Sequence, residues 1–144
     1  MRALPLLGLL LVGCGGYCGD NVRVGADVEP FVAYCSGDTV QIEGFAGGYN
    51  LPLAFEIEGL DGSQGMTGVF RLTPDGQSSQ DALGGLVVRD EGDGLYTGNT
   101  SFPLQEQTEA EVAELDGVNA QFSAAITAFD VTEEVILDIV LAAP

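Results

Sequence analysis

The C-terminal part of the chain alternates apolar with small or polar residues, and this regular pattern is its strongest structural constraint. The two apolar series are Phe122, Ala124, Ile126, Ala128 and Val135, Leu137, Ile139, Leu141. Successive side chains of a strand point to opposite faces, so such alternation is typical of a sheet with one buried face. We therefore predict strands at 122–129 and 135–142.

Shorter alternating runs, broken by Gly, Asp and Asn, predict further strands along the rest of the chain. They lie at 22–26, 31–35, 39–45, 52–58, 67–73, 86–90 and 95–99. Asp-Gly pairs at 61–62, 75–76, 93–94 and 116–117 accept the positive φ values of tight turns. Together they indicate an all-β fold, a single antiparallel β-sandwich of about eight to ten short strands, with a small β-barrel as the alternative.

Segment 104–115 does not fit this pattern. Its composition is helix-forming, and Leu104, Thr108, Val112 and Leu115 fall on one helical face. Pro103 and the Asp-Gly pair at 116–117 bracket it in a region that otherwise resembles hairpins. We expect two strands meeting around residues 107–109, with a helix as the alternative.

The charge composition excludes several functions. The chain has 22 acidic residues, four arginines, no lysine and no histidine, and its formal net charge is −18. Such a surface repels nucleic acid and anionic lipid head groups, so neither is an expected partner. Catalysis with a histidine base and the usual histidine-rich metal or haem sites are excluded as well. We expect a non-catalytic domain, with a carboxylate-dependent glycan hydrolase as the alternative, because paired carboxylates alone can cleave glycosides.

Two groups of residues are candidates for binding. Calcium takes oxygen ligands, and the best calcium candidate is the turn that carries Asp90, Glu91 and Asp93, followed by the loop 75–81. Neither loop matches an EF-hand, and solvated hairpin tips are the alternative; no other cofactor is expected. Phe45 and Tyr49 flank a glycine pair. They are candidate anchors for a sugar face or a partner protein, or they cap one end of the core.

The N-terminus has the features of a secretory signal. Arg2 precedes an apolar run over 3–12, and Gly13 stands before Cys14. The run is shorter than the about 20 residues needed to cross a bilayer. The sequence Leu11-Val12-Gly13-Cys14 resembles the lipobox of bacterial lipoproteins. That resemblance implies that residues 1–13 are removed, that Cys14 carries the lipid, including palmitate, and that Gly15 favours outer-membrane export.

The resemblance implies a signal peptide at 1–13 and a lipidated cysteine that starts a short tether at 14–21. The strand pattern places the antiparallel β domain at 22–144. Once Cys14 is assigned to lipid, Cys18 and Cys35 remain, and an oxidising compartment favours a disulfide between them over two free thiols. We expect a membrane-anchored lipoprotein of the bacterial envelope for binding, adhesion or envelope assembly. Its partner would be an envelope protein or a glycan, and a calcium-stiffened surface module is a further alternative.

Overall fold

In the computed structural model, residues 16–144 are described, and they form an all-β fold. The predicted signal peptide, the lipidation site Cys14 and Gly15 lie outside the described residues. The eleven strands in the described part are β1 Val22–Val28, β2 Phe31–Ala33, β3 Thr39–Gln41, β4 Glu43–Phe45, β5 Gly48–Glu58, β6 Met66–Pro74, β7 Gln80–Leu86, β8 Arg89–Gly92, β9 Leu95–Pro103, β10 Asn119–Ala128 and β11 Val131–Ala142. A 3-10 turn at Gly62–Gln64 and one α-helix, α1 (Glu109–Ala113), interrupt them.

The strands form two sheets that enclose one core. The first sheet has the order β2-β1-β5-β9-β8, with β4 also paired to β5, and the second has the order β3-β11-β10-β6-β7. Buried residues of both sheets belong to one hydrophobic cluster. The predicted β-sandwich class is therefore confirmed. Its one departure from antiparallel pairing is β3, which lies parallel to β11.

The centre of the core is an aromatic cluster that joins the sheets. In the second sheet β10 places Phe122 opposite Leu72 of β6 and Leu137 of β11. The Phe122 ring stacks on Phe70 with centroids 6.4 Å apart. It meets Phe102 of the first sheet in an edge-to-face arrangement at 6.3 Å. In β10 and β11 the apolar residues of the predicted pattern therefore face the core, and the residues between them face away from it.

The predicted Asp-Gly turns occur at three of the four positions. Gly76, Gly94 and Gly117 have positive φ values, and at the β8–β9 hairpin Asp93 (φ 55°) shares this conformation with Gly94 (φ 81°), as a tight two-residue turn requires. The pair at 61–62 instead starts the 3-10 turn, where the Asp61 carboxylate accepts a hydrogen bond from the Ser63 backbone N–H at 3.0 Å.

The expectation of two strands around residues 107–109 is wrong, because α1 lies there. Thr108 is the N-cap residue, and its hydroxyl accepts from the Glu111 backbone N–H at 3.2 Å. The Glu111 carboxylate in turn accepts from the Thr108 N–H at 3.2 Å. This reciprocal capping box satisfies donors that a helix leaves unpaired. Val112 and Leu115 are buried in the core, so their helical spacing was the decisive signal.

Three strand predictions also need correction. Residues 80–85, which lie between the predicted strands 67–73 and 86–90, belong to β7. The predicted strand 86–90 is divided between Leu86, the last residue of β7, and β8 at Arg89–Gly92. The strand predicted at 39–45 is divided into β3 and β4, which belong to different sheets. At the division Ile42 is fully buried and its N–H donates to the Ala142 carbonyl at 2.8 Å. Among the described residues, no helix is long and apolar enough to cross a membrane.

Replacing the central aromatic ring tests this description of the core. We expect Phe122→Ala to lower the free energy of unfolding by about 3–5 kcal/mol, because the change removes the ring contacts between the sheets and leaves a cavity. Urea denaturation at neutral pH measures the difference. Phe129→Ala is the matched control, since Phe129 is 62% exposed at the β10–β11 turn. Equal losses in the two variants would contradict the central role of Phe122.

Candidate functional site

The sulfur atoms of Cys18 and Cys35 lie at disulfide bonding distance. The geometry thus fits the predicted bridge. The segment beside it is held to β11, because the Ser36 N–H donates to the Tyr17 carbonyl at 2.7 Å and the Asp138 N–H donates to the Ser36 hydroxyl at 3.0 Å. The start of the described chain is thereby fixed to the second sheet through β11.

The candidate calcium residues Asp90, Glu91 and Asp93 do not converge. The Glu91 carboxylate pairs with Arg89 at 2.8 Å and accepts from the Thr97 hydroxyl at 2.9 Å. Asp90 accepts from the Gly92 N–H at 2.9 Å. Within residues 16–144, no group of three His, Cys, Asp or Glu side chains is arranged to hold a metal ion.

The second calcium candidate, the loop 75–81, is also divided. Asp81 forms a bidentate pair with Arg71, at 2.7 and 2.9 Å, and the guanidinium hydrogen bonds lower the pKa of the Asp81 carboxyl. Asp75 lies elsewhere, on a surface cavity of about 370 Å³ that Asn119 and Asp138 also line. The two aspartates of this loop thus have different contacts and do not form a common calcium site.

Phe45 and Tyr49 lie on the β4–β5 hairpin, and the structure separates their roles. Phe45 pairs with Gly48 across the turn and is 53% exposed, so it is available to a partner. Tyr49 pairs with Gly44 and packs against the core, as the alternative of a core cap predicted. Its backbone carbonyl accepts from the Leu104 N–H at 2.9 Å.

A small cavity beside Tyr49 is the best candidate binding site at this end of the sandwich. Its volume is about 200 Å³. Besides Tyr49 the lining residues are Gly44, Glu109, Val112, Ala113, Ala143 and Pro144. The wall mixes apolar and polar surface, and Glu109 contributes a carboxylate from the first turn of α1. Sequence analysis had identified Tyr49 but not this wall. The pattern Thr108-x-x-Glu111, a capping box, is the signal that could have located α1 and hence the cavity.

A second concavity, of about 490 Å³, lies on another side of α1 and is lined by Glu106, Glu111 and Glu114. Two of these carboxylates already have protein partners. Glu106 accepts from the Gln80 amide at 3.0 and 3.1 Å. Glu111 accepts from the backbone N–H groups of Gln107 and Thr108, and these hydrogen bonds lower the pKa of its carboxyl.

Comparison with known proteins does not identify a function for these cavities. No protein family matches the chain, and no curated protein matches it.

The capping box predicts a specific pH dependence. A depressed folded-state pKa means that Glu111 stabilises the fold above its unfolded-state pKa of about 4.3 and loses this effect as the pH falls through the folded value. We therefore expect Glu111→Gln, which keeps the hydrogen-bonding shape, to have a lower Tm than the parent chain at pH 7, with a gap that narrows below about pH 4.

Glu109→Gln is the control, because it removes the same charge from the same helical turn without touching the capping box. Thermal unfolding followed by circular dichroism at several pH values gives the comparison. If Glu111→Gln and Glu109→Gln lowered the Tm by the same amount at every pH, the Glu111 carboxylate would not stabilise the fold through the capping box.

Proposed function

We propose that this chain is a lipid-anchored domain of the bacterial envelope that acts by binding a partner rather than by chemistry. The observation that carries the proposal is the Cys18–Cys35 pair at disulfide bonding distance. Disulfides persist in oxidising compartments outside the cytoplasm. This supports export, which the signal-like N-terminus and the lipobox resemblance at Cys14 independently predict.

The anchor would hold the domain close to the membrane surface. Cys18 follows Cys14 by four residues, and four extended residues span at most about 14 Å. From Cys18 onward the chain is tied to Cys35 and β11. The proposed lipid therefore restricts the domain to a thin layer above the bilayer. Outer-membrane sorting, which Gly15 favours, is part of this proposal, and either leaflet is compatible with it.

The size of the Tyr49 cavity favours a protein partner over a glycan or a small molecule. Small-molecule sites usually enclose about 300–1,000 Å³, whereas this cavity has about 200 Å³. That volume suits a single apolar side chain, of the kind that anchors protein interfaces. Phe45 does not line the cavity, but it is exposed at the next cross-strand pair of the same hairpin and would be a second aromatic contact for a protein large enough to cover the hairpin. An envelope protein that inserts one apolar residue is the partner this surface suits best.

The alternative of a glycan hydrolase has one observation in its favour, the three glutamates that line a common concavity. A glycosidase needs one carboxyl that is protonated and can act as the acid. The lowered pKa of Glu111 and its use as a helix cap do not suit that role. The binding proposal therefore explains more of the local structure.

The lipid anchor is tested by Cys14→Ser. We expect this variant to move from the membrane fraction to the soluble fraction after export, because it lacks the thiol that would be acylated. The control combines Cys18→Ser with Cys35→Ser, which should remain with the membrane. Retention of Cys14→Ser in the membrane fraction would show that Cys14 is not the anchor.

Partner binding is tested by placing a photoreactive phenylalanine analogue at position 45 in the full-length chain in its own envelope. We expect a discrete protein adduct that is reduced by Ala113→Phe, since the larger side chain fills the cavity. The analogue at position 129, an exposed phenylalanine site at the opposite end of β11, is the control. Identical adducts from both positions, or adducts unaffected by Ala113→Phe, would argue against this binding surface.

A further inference from the structure

The edge strands of the two sheets differ in how they are protected. Exposed edges invite pairing with other chains, and proteins usually limit this with short strands or charged side chains. The edges β2 and β3 have three residues each, and β8 has four, of which three are charged. In contrast, β7 has seven residues and pairs only with β6. Within residues 16–144 it is the longest edge.

The strands that pack beside β7 carry few charges. In β6, β7, β9 and β10 the only charged residues are Arg71 and Asp81. These two neutralise each other in the bidentate pair described above. The remaining acidic residues lie in other strands, in α1 and in connections. One further carboxylate, that of Glu106, lies at the start of β7, where it accepts from the Gln80 amide, and the charged strand β8 follows its end. In a chain with a net charge of −18, the middle of β7 thus lies among strands that carry few charges.

The side chains of β7 leave its edge open and apolar. Leu83 points outward and is 73% exposed, next to Val69 on β6, which is also exposed. Gly84 and Gly85 follow, and a Cβ atom built at either position meets nothing within 4 Å. No bulky side chain therefore obstructs an approaching backbone. Beneath the edge, a groove of about 190 Å³ separates β7 from Thr100, Ser101 and Pro103 of β9.

We propose that β7 pairs with β7 of a second copy of this chain, antiparallel, about a two-fold axis at Leu83. In this register the two Leu83 side chains lie opposite each other on the outer face, where cross-strand apolar pairs are stabilising. The same surface serves both copies, as two-fold symmetry requires. The pairing would join the two five-stranded sheets into one continuous sheet and satisfy the open edge of both.

Electrostatics favour a copy of the same chain only at this side. Elsewhere, two such acidic surfaces would bring like charges together, whereas residues 82–86 of β7 are neutral and the charges of Arg71 and Asp81 beside them are paired. The remaining repulsion acts over longer distances and is screened by salt, with a Debye length of about 10 Å at 0.1 M. The pairing should therefore tighten as the salt concentration rises, the opposite of an interface held by ion pairs. It does not depend on the lipid anchor or on the partner proposed above.

Sedimentation equilibrium of the full-length Cys14→Ser chain tests the proposal without a contribution from lipid. We expect a reversible species of twice the single-chain mass, with a lower Kd in about 0.5 M than in about 0.05 M NaCl. Leu83→Asp should raise the Kd by about tenfold or more, because it places like charges opposite each other at the axis. Val32→Asp, the same charge change at an exposed position on β2, should not.

Cysteine cross-linking tests the register independently of affinity. In the Cys14→Ser background, Leu83→Cys should yield a covalent dimer on oxidation, whereas Val69→Cys, on the same face but one strand from the edge, should not. A single-chain mass at all concentrations up to about 200 µM, corresponding to binding weaker than about −5 kcal/mol, would overturn the proposal. So would a dimer that Leu83→Asp leaves intact, or equal cross-linking at both positions.

Discussion

The edge-to-face contact between Phe102 and Phe122 is the interaction on which the sandwich depends. Each ring comes from a different sheet, and the Phe122 ring also stacks on Phe70. A two-layer β fold is stable only when the apolar faces of its sheets cover each other. The strands that carry Phe70 and Phe122 are neighbours in the second sheet. The aromatic cluster therefore fixes both the distance between the layers and the strand faces that lie inward.

A strand is easy to predict from the sequence when one of its faces is buried and the other is exposed to solvent. In β10 and β11 one face is core and the other is solvent, so apolar residues recur at every second position and the strands are evident. In β7, Leu83 is exposed and two glycines follow, so its composition resembles that of a connection. Helix α1 was mispredicted because Pro103 and the Asp-Gly pair at 116–117 bracket it as they would a hairpin, although Val112 and Leu115 already had helical spacing.

The division of 39–45 between two sheets has a different cause. Local sequence indicates that a segment is extended, but it does not state which strand will be its partner. Ile42 is buried where the chain passes from β3 to β4, and the parallel partner of β3 is β11, about a hundred residues away. Only the assembled core determines that pairing.

For the candidate sites too, the sequence predicts which residue types are present but not which side chains the fold brings together. The pairing of Cys18 with Cys35 was predicted by assigning Cys14 to lipid through the lipobox resemblance, and their sulfur atoms lie at disulfide bonding distance. Asp90 and Glu91 are neighbours along β8 and project to opposite faces, whereas Asp93 lies in the turn that follows. The Glu91 carboxylate is already bound by Arg89 and Thr97. The cavity beside Tyr49 could not be predicted, because its wall is assembled from a hairpin, a helix and the C-terminal residues.

The construction of α1 determines what binding at that wall would cost. A helix of five residues is too short to be stable alone, but Val112 and Leu115 are each 1% exposed and the capping box closes its first turn. The wall is therefore held by the core itself. A partner that inserts a side chain beside Tyr49 meets a surface already in its bound shape, so little conformational entropy is lost on the side of this protein. Most of the conformational entropy lost on binding would then be lost by the partner.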